Sequence, residues 1–196
     1  MTRVEELNLG ICRAFLFPGT GVGSALVLPG AGYGVQAPLL WFSRLALSAA
    51  GRSVLAVDDR YSGEDDARAW VERRALAALD YLAGARPIIV GKSLTTLAAP
   101  IAAERRLPAI WLTPLLRLAD SPVVAGLRDR AAPALLIGGT ADPAWHGDLA
   151  RSFAGVEVLE IEDGDHSLQM DGNPARSLDA LRAVVDSVAR FAQRLP

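Results

Sequence analysis

Val90-Gly91-Lys92-Ser93-Leu94-Thr95 sets a serine where an apolar strand pattern, 87–90, gives way to a helical pattern, 94–104. A junction with almost no connecting loop needs a residue without a side chain, and Gly91 stands two positions before the serine. A serine held there projects its hydroxyl above the sheet edge, while the following helix offers free backbone N–H groups. Ser93 is therefore either the nucleophile of an elbow or a hydroxyl capping the next helix. Phosphate binding by Gly91-Lys92-Ser93 would require a glycine five residues earlier, where Arg86 stands. The clusters Gly19-Thr20-Gly21-Val22-Gly23 and Gly30-Ala31-Gly32-Tyr33-Gly34 lack the third glycine of a dinucleotide-binding motif. The first is expected to be a turn between strands.

A serine hydroxyl is a weak nucleophile at neutral pH and needs a base that is itself held by a third group. The chain has two histidines, His146 and His166. His166 lies in Asp163-Gly164-Asp165-His166-Ser167, after one strand pattern and before the last helical one. Asp142 lies in Gly138-Gly139-Thr140-Ala141-Asp142-Pro143, after the preceding strand pattern. The order Ser93, Asp142, His166 is the one in which strand-end loops of a serine hydrolase supply these groups. His146, four residues beyond Asp142 at the start of a helix, is the competing base and reads as a rim histidine. Asp165 could stand in for Asp142, but an immediate neighbour of His166 directs its side chain elsewhere.

The elements that must carry these loops alternate along the chain. Apolar runs at 25–28, 53–57, 87–90, 109–112, 134–137 and 156–161 read as strands buried on both faces. Ile11 to Phe17 reads as a further strand near the sheet edge. Between them lie helical patterns. Gly63-Glu64-Asp65-Asp66 opens one with acids in its first turn, followed by Ala67, Val71, Ala75, Ala78 and Leu82 on one face. Leu178, Leu181, Val185, Val188, Phe191 and Leu195 mark the face of the last. Such alternation implies an α/β fold, a mostly parallel sheet with right-handed crossovers and helices on both sides. Ligands in such sheets gather beyond the carboxyl ends of the strands, at 29–34, 58–63, 91–94, 113–116, 138–145 and 163–168.

From about Ser24 onward the sequence resembles the α/β-hydrolase superfamily, in particular compact members of the dienelactone-hydrolase and small-esterase kind. Gly139-Thr140-Ala141-Asp142-Pro143 resembles the superfamily's acid loop and Gly164-Asp165-His166-Ser167-Leu168 its histidine loop. The resemblance implies a two-step acyl transfer in which Ser93 attacks, His166 takes and returns the proton, and Asp142 orients the imidazole. The backbone N–H groups of Leu94 and Ala31 are the implied oxyanion donors. Two positions depart from the pattern. Pro29-Gly30 replaces the common His-Gly of the oxyanion loop, and Thr95 replaces the second glycine of G-x-S-x-G, which points to a slightly displaced helix. Trp111 and Trp145 are candidate pocket walls, with Trp41 and Phe42 behind them; core packing is the alternative for each. Lys92 is either a contact for an anionic substrate group or an exposed lysine without a specific partner.

The 196 residues, 51% hydrophobic and 21% charged with a formal net charge of −2, suit one α/β-hydrolase domain over 1–196. This balance gives no basis for nucleic-acid binding, and no apolar run approaches the ~18 residues of a membrane span. Arg3, Glu5, Glu6 and Arg13 interrupt the N-terminal segment where a secretory signal would be apolar, so a cytoplasmic location is the expectation. Cys12 is expected as a small buried hydrophobe in a strand. Neither a cofactor nor a metal is expected. The 113–133 segment has room for about one helix, which implies no lid domain and an open site for a small-molecule acyl substrate, or a site completed in a homo-oligomer. Esters are the first choice, with thioesters and amides behind them; an elbow Asp or Cys would have suggested other chemistry. The rival class is a non-catalytic binding or scaffold protein of the same fold.

Overall fold

The computed structural model describes residues 4–21, 23–63, 66–118 and 120–196. Strands β1 (Glu5–Asn8), β2 (Arg13–Phe17), β3 (Ser24–Leu28), β4 (Ser53–Asp58), β5 (Ile88–Lys92), β6 (Ala109–Leu112), β7 (Ala134–Gly139) and β8 (Val156–Ile161) form one sheet in the order β1-β2-β4-β3-β5-β6-β7-β8. Every pairing from β4 to β8 is parallel, whereas β1 and β2 add an antiparallel edge. Strands β3, β5, β6 and β7 are buried along their whole length, as their continuous apolar runs require of a sheet covered on both faces.

Alternate residues feed two cores. Leu26, Leu55, Ile89, Trp111 and Leu136 face α2 (Ala67–Tyr81), α3 (Ala99–Glu104) and α4 (Pro122–Asp129). Val27, Val54, Val90, Ile110 and Ile137 face α1 (Pro38–Ala49) and α6 (Pro174–Gln193). The short α5 (Gly147–Ser152) lies between β7 and β8. The sheet order reverses at β3, whose neighbours are β4 on one side and β5 on the other. The loops leaving β3 and β5 diverge there and open a crevice at the carboxyl ends of the strands.

Several expectations need correction. The edge strand starts at Arg13, so Ile11 and Cys12 sit in the turn before it, and β1 is an additional strand. Cys12 is nonetheless buried, and burial with the nearby Asp59 carboxylate pushes its thiol pKa up. Helix α2 begins at Ala67, capped by Asp66, whose carboxylate accepts the Ala69 N–H at 2.7 Å; Glu64 and Asp65 lie outside the described residues. The glycine cluster at 19–23 connects β2 to β3, and Val22 within it also lies outside the described residues. The inner face of α6 runs through Ala180, Val184, Val188 and Phe191, with Leu181, Val185 and Leu195 partly buried against the same core; of the expected stripe Leu178 alone turns out, at 66% exposed. Between β6 and β7 the described residues hold one helix, α4, and it packs against α3. No helix among the described residues is long and apolar enough to cross a membrane.

Candidate active site

The elbow is sharp enough to strain its central residue. Ser93 has φ of +53°, a left-handed conformation uncommon for a residue with a side chain. Gly91 makes the turn possible: a Cβ there would lie 2.8 Å from the Trp111 ring and 2.9 Å from the Thr95 carbonyl oxygen. The helix that follows starts as a 3₁₀ turn over Ser93–Ala98 and becomes α-helical only in α3, where continuous helix was expected over 94–104. Pro100 explains the break, since it has no N–H to bond the Thr96 carbonyl, which accepts from Ala99 instead. Side chains hold the tight turn. Thr95 Oγ1 accepts the Lys92 N–H at 3.0 Å and lies 3.3 Å from the Leu28 carbonyl oxygen; Thr96 Oγ1 donates to the Ser93 carbonyl at 2.6 Å. Thr95, where the motif has glycine, thus fastens the elbow to the end of β3.

Asp142 and His166 arrive from the ends of β7 and β8. Ala141 N–H donates to the Gly164 carbonyl at 3.1 Å, and Asp163 N–H to Thr140 Oγ1 at 2.8 Å, which locks the two loops together. Asp142 is buried: one carboxylate oxygen accepts the Ala144 N–H at 2.8 Å and the other lies 2.8 Å from His166 Nδ1. His166 Nε2 lies 2.7 Å from Ser93 Oγ. With the carboxylate accepting from Nδ1–H, Nε2 is left as an acceptor for the serine hydroxyl.

The other candidates divide. Leu94 is the second residue of the 3₁₀ turn, so its N–H belongs to the group that a helix start leaves without an intrahelical partner. Ala31 sits in the tight turn 30–33 after β3, closed by Gly30 N–H donating to the Tyr33 carbonyl at 2.8 Å. Since Leu28 pairs with Gly91, this turn stands beside the elbow. His146 has a different role: it caps α5, with Nδ1 accepting the Leu149 N–H at 3.4 Å. Asp165 turns away from the His166 ring and accepts the Ser167 and Gln169 N–H groups at 2.7 and 2.9 Å, shaping the histidine loop.

Three expected pocket residues are corrected. Trp111 is buried in the core beneath Gly91, where it supports the elbow from behind. Trp145 is buried against Gly138, with its indole N–H donating to the Glu160 carboxylate at 2.7 Å. Lys92 is neither exposed nor facing a substrate space: it is 2% exposed, and its Nζ donates to the His166 carbonyl at 2.9 Å and to Thr113 Oγ1 at 3.1 Å. Strand β5 runs on through Lys92, which puts its side chain on the face of Ile88 and Val90. That period-two placement was the available signal. Trp41 and Phe42 lie on the exposed side of α1, with the Arg44 guanidinium 4.4 Å from the Trp41 ring centre.

Two clefts lie at neighbouring loops, and neither is lined by Ser93, Asp142 or His166. One, of about 660 Å³, lies between the 30–34 loop, the 10–13 turn and the end of β4 at Asp58 and Asp59. The other, of about 580 Å³, lies between the histidine loop and the start of α6. Among the described residues no cluster of side chains is arranged to hold a metal ion.

The sheet order, the strand-end loops and the strained elbow define a compact α/β-hydrolase fold. Solved structures with that fold include a dienelactone hydrolase from Anabaena variabilis, with a TM-score of 0.75 and 18% identity over 99% of this chain and 97% of that one. They also include the esterase domain of a Rhodothermus marinus protein (TM-score 0.70, 16% identity, 98% of each chain). A third is the thioesterase domain from the curacin biosynthetic pathway (TM-score 0.69, 12% identity, 96% and 99%). No protein-family model matches the chain, and no curated protein matches its sequence.

Proposed function

We propose that the protein is a serine hydrolase that cleaves a small or soluble acyl substrate, a carboxylic ester first of all. The observation that carries this reading is the continuous line of hydrogen-bonding groups from Asp142 through His166 to Ser93, with separations of 2.8 and 2.7 Å. Ser93 Oγ attacks the acyl carbon as its proton passes to Nε2 of His166. The carbonyl π bond opens, and its oxygen, now an anion, is received by the N–H groups of Leu94 and Ala31. The intermediate collapses, the bond to the leaving group breaks, and the leaving group takes the proton from Nε2. Water repeats the sequence on the acyl-enzyme and returns Ser93 to its hydroxyl form. Asp142 stays ionised throughout, holding the imidazole tautomer and stabilising the imidazolium.

The esterase and hydrolase names among the structural neighbours support this chemistry, and the thioesterase name keeps thioesters in the same trial. The open crevice favours short acyl groups. Hydrolysis of p-nitrophenyl esters of rising chain length, with an acyl thioester alongside, tests the reading. The expected result is the highest kcat/KM on short esters, abolished in Ser93→Ala. A folded protein that hydrolyses none of them, or a Ser93→Ala variant that keeps the rate, overturns it.

A further inference from the structure

A lysine beside the nucleophile is buried where an aliphatic residue would fill the same volume. Its neighbours on that face of β5, Ile88 and Val90, are aliphatic and fully buried. Taking an ammonium out of water is costly unless each of its donors is met. Here all three are: the His166 carbonyl at 2.9 Å, Thr113 Oγ1 at 3.1 Å, and the face of the Tyr33 ring, whose centre lies 4.6 Å from Nζ. Each partner comes from a different loop of the crevice, after β8, β6 and β3 respectively.

We propose that Lys92 is a positioning residue for the reaction, setting the His166 backbone and the turn that bears Ala31 at a fixed distance from Ser93. The inference rests on the reading of Ser93 and His166 as the reacting pair. The His166 side chain is 39% exposed, so packing alone does not fix its ring. One end of the residue is held by Asp142 through Nδ1 and the other by Lys92 through the carbonyl oxygen. Because Lys92 is bonded directly to Ser93, a single side chain spans nucleophile and base. The oxyanion turn is seated on the same side chain: a Cβ on Gly30 would lie 3.2 Å from Lys92 Cδ, so only glycine lets the turn approach so closely without displacing the stem.

The grip depends on charge. Burial lowers the Lys92 pKa from 10.5 to about 8, against the opposing pull of the Asp142 and Asp165 carboxylates. The Tyr33 phenol is the other titratable group facing it, and burial moves that phenol further up, away from this range. Raising the pH through about 8 removes the ammonium charge, weakens its bond to the His166 carbonyl and lowers kcat.

The test compares native protein with Lys92→Met. The expected result is a kcat lower by about ten- to hundredfold, because the reacting groups are displaced while the substrate space is not. KM should change by less than about threefold, and the alkaline fall in kcat expected near pH 8 for the native protein should be absent from the variant. A folded Lys92→Met with native kcat, or with the same alkaline fall, overturns the proposal. Should Lys92→Met not fold, Thr113→Val serves. Losing an acceptor that favours the ammonium moves the alkaline fall to lower pH, and an unmoved fall is the contrary result. A native protein that neither hydrolyses esters nor reacts with a fluorophosphonate removes the reading of Ser93 instead. The downfield proton signal of His166 Nδ1–H then decides on Lys92 alone: it broadens in Lys92→Met if the lysine positions the ring, and stays sharp if it does not.

Discussion

Gly139 and Gly164 meet backbone to backbone: a Cβ on Gly139 would lie 2.0 Å from the Gly164 carbonyl oxygen. This contact lets the loop after β7 lie against the loop after β8, and so lets a carboxylate three residues beyond Gly139 reach an imidazole two residues beyond Gly164. Gly139→Ala forces the loops apart. We expect a stability loss of about 1–3 kcal/mol from overpacking, read by denaturant unfolding. A kcat loss of about ten- to hundredfold should accompany it. Native kcat in Gly139→Ala would show that the contact does not position the pair.

The proposed reaction gives the two aspartates near His166 different tasks. Asp142→Asn should lower kcat by up to ~10⁴ with the fold intact, since an amide cannot hold the productive tautomer. Asp165→Asn keeps an acceptor for the Ser167 and Gln169 N–H groups, so its effect on kcat should be far smaller. Equal losses in the two variants, measured by ester hydrolysis, would contradict the assignment of Asp142.

Thr95 departs from the elbow motif, and completing the motif should weaken the protein. Thr95→Gly loses the hydroxyl that accepts from Lys92 N–H and meets the Leu28 carbonyl, and it loosens the 3₁₀ turn. A loss of about 1–3 kcal/mol is expected in chemical denaturation. A gain in stability would show that the site prefers glycine.

The sequence made the central strands legible because strands buried on both faces are runs of aliphatic residues, and β3 to β8 lie within two residues of those runs. The three strand-end loops were legible for a different reason: a serine, an aspartate and a histidine each follow such a run in order, and two histidines leave little choice of base. The side chains around them were harder to place. Lys92 is read as exposed when judged by residue type; its burial emerges only from the period of β5 and from partners at 113 and 166, far away in sequence. Trp111 and Trp145 follow or end strands, as pocket residues do, but which face they take depends on glycines at 91 and 138 that make room for rings behind the site. The short β1 carries Glu5, Glu6 and Asn8 and has no apolar period, because it is an exposed edge strand paired on one side.

The claim that Ser93 is an activated nucleophile is tested most directly by a fluorophosphonate probe with mass-spectrometric mapping. Stoichiometric labelling at Ser93 is the expected result, lost in Ser93→Ala and strongly slowed in Asp142→Asn. A folded native protein left unlabelled, or labelled at another residue, would contradict it.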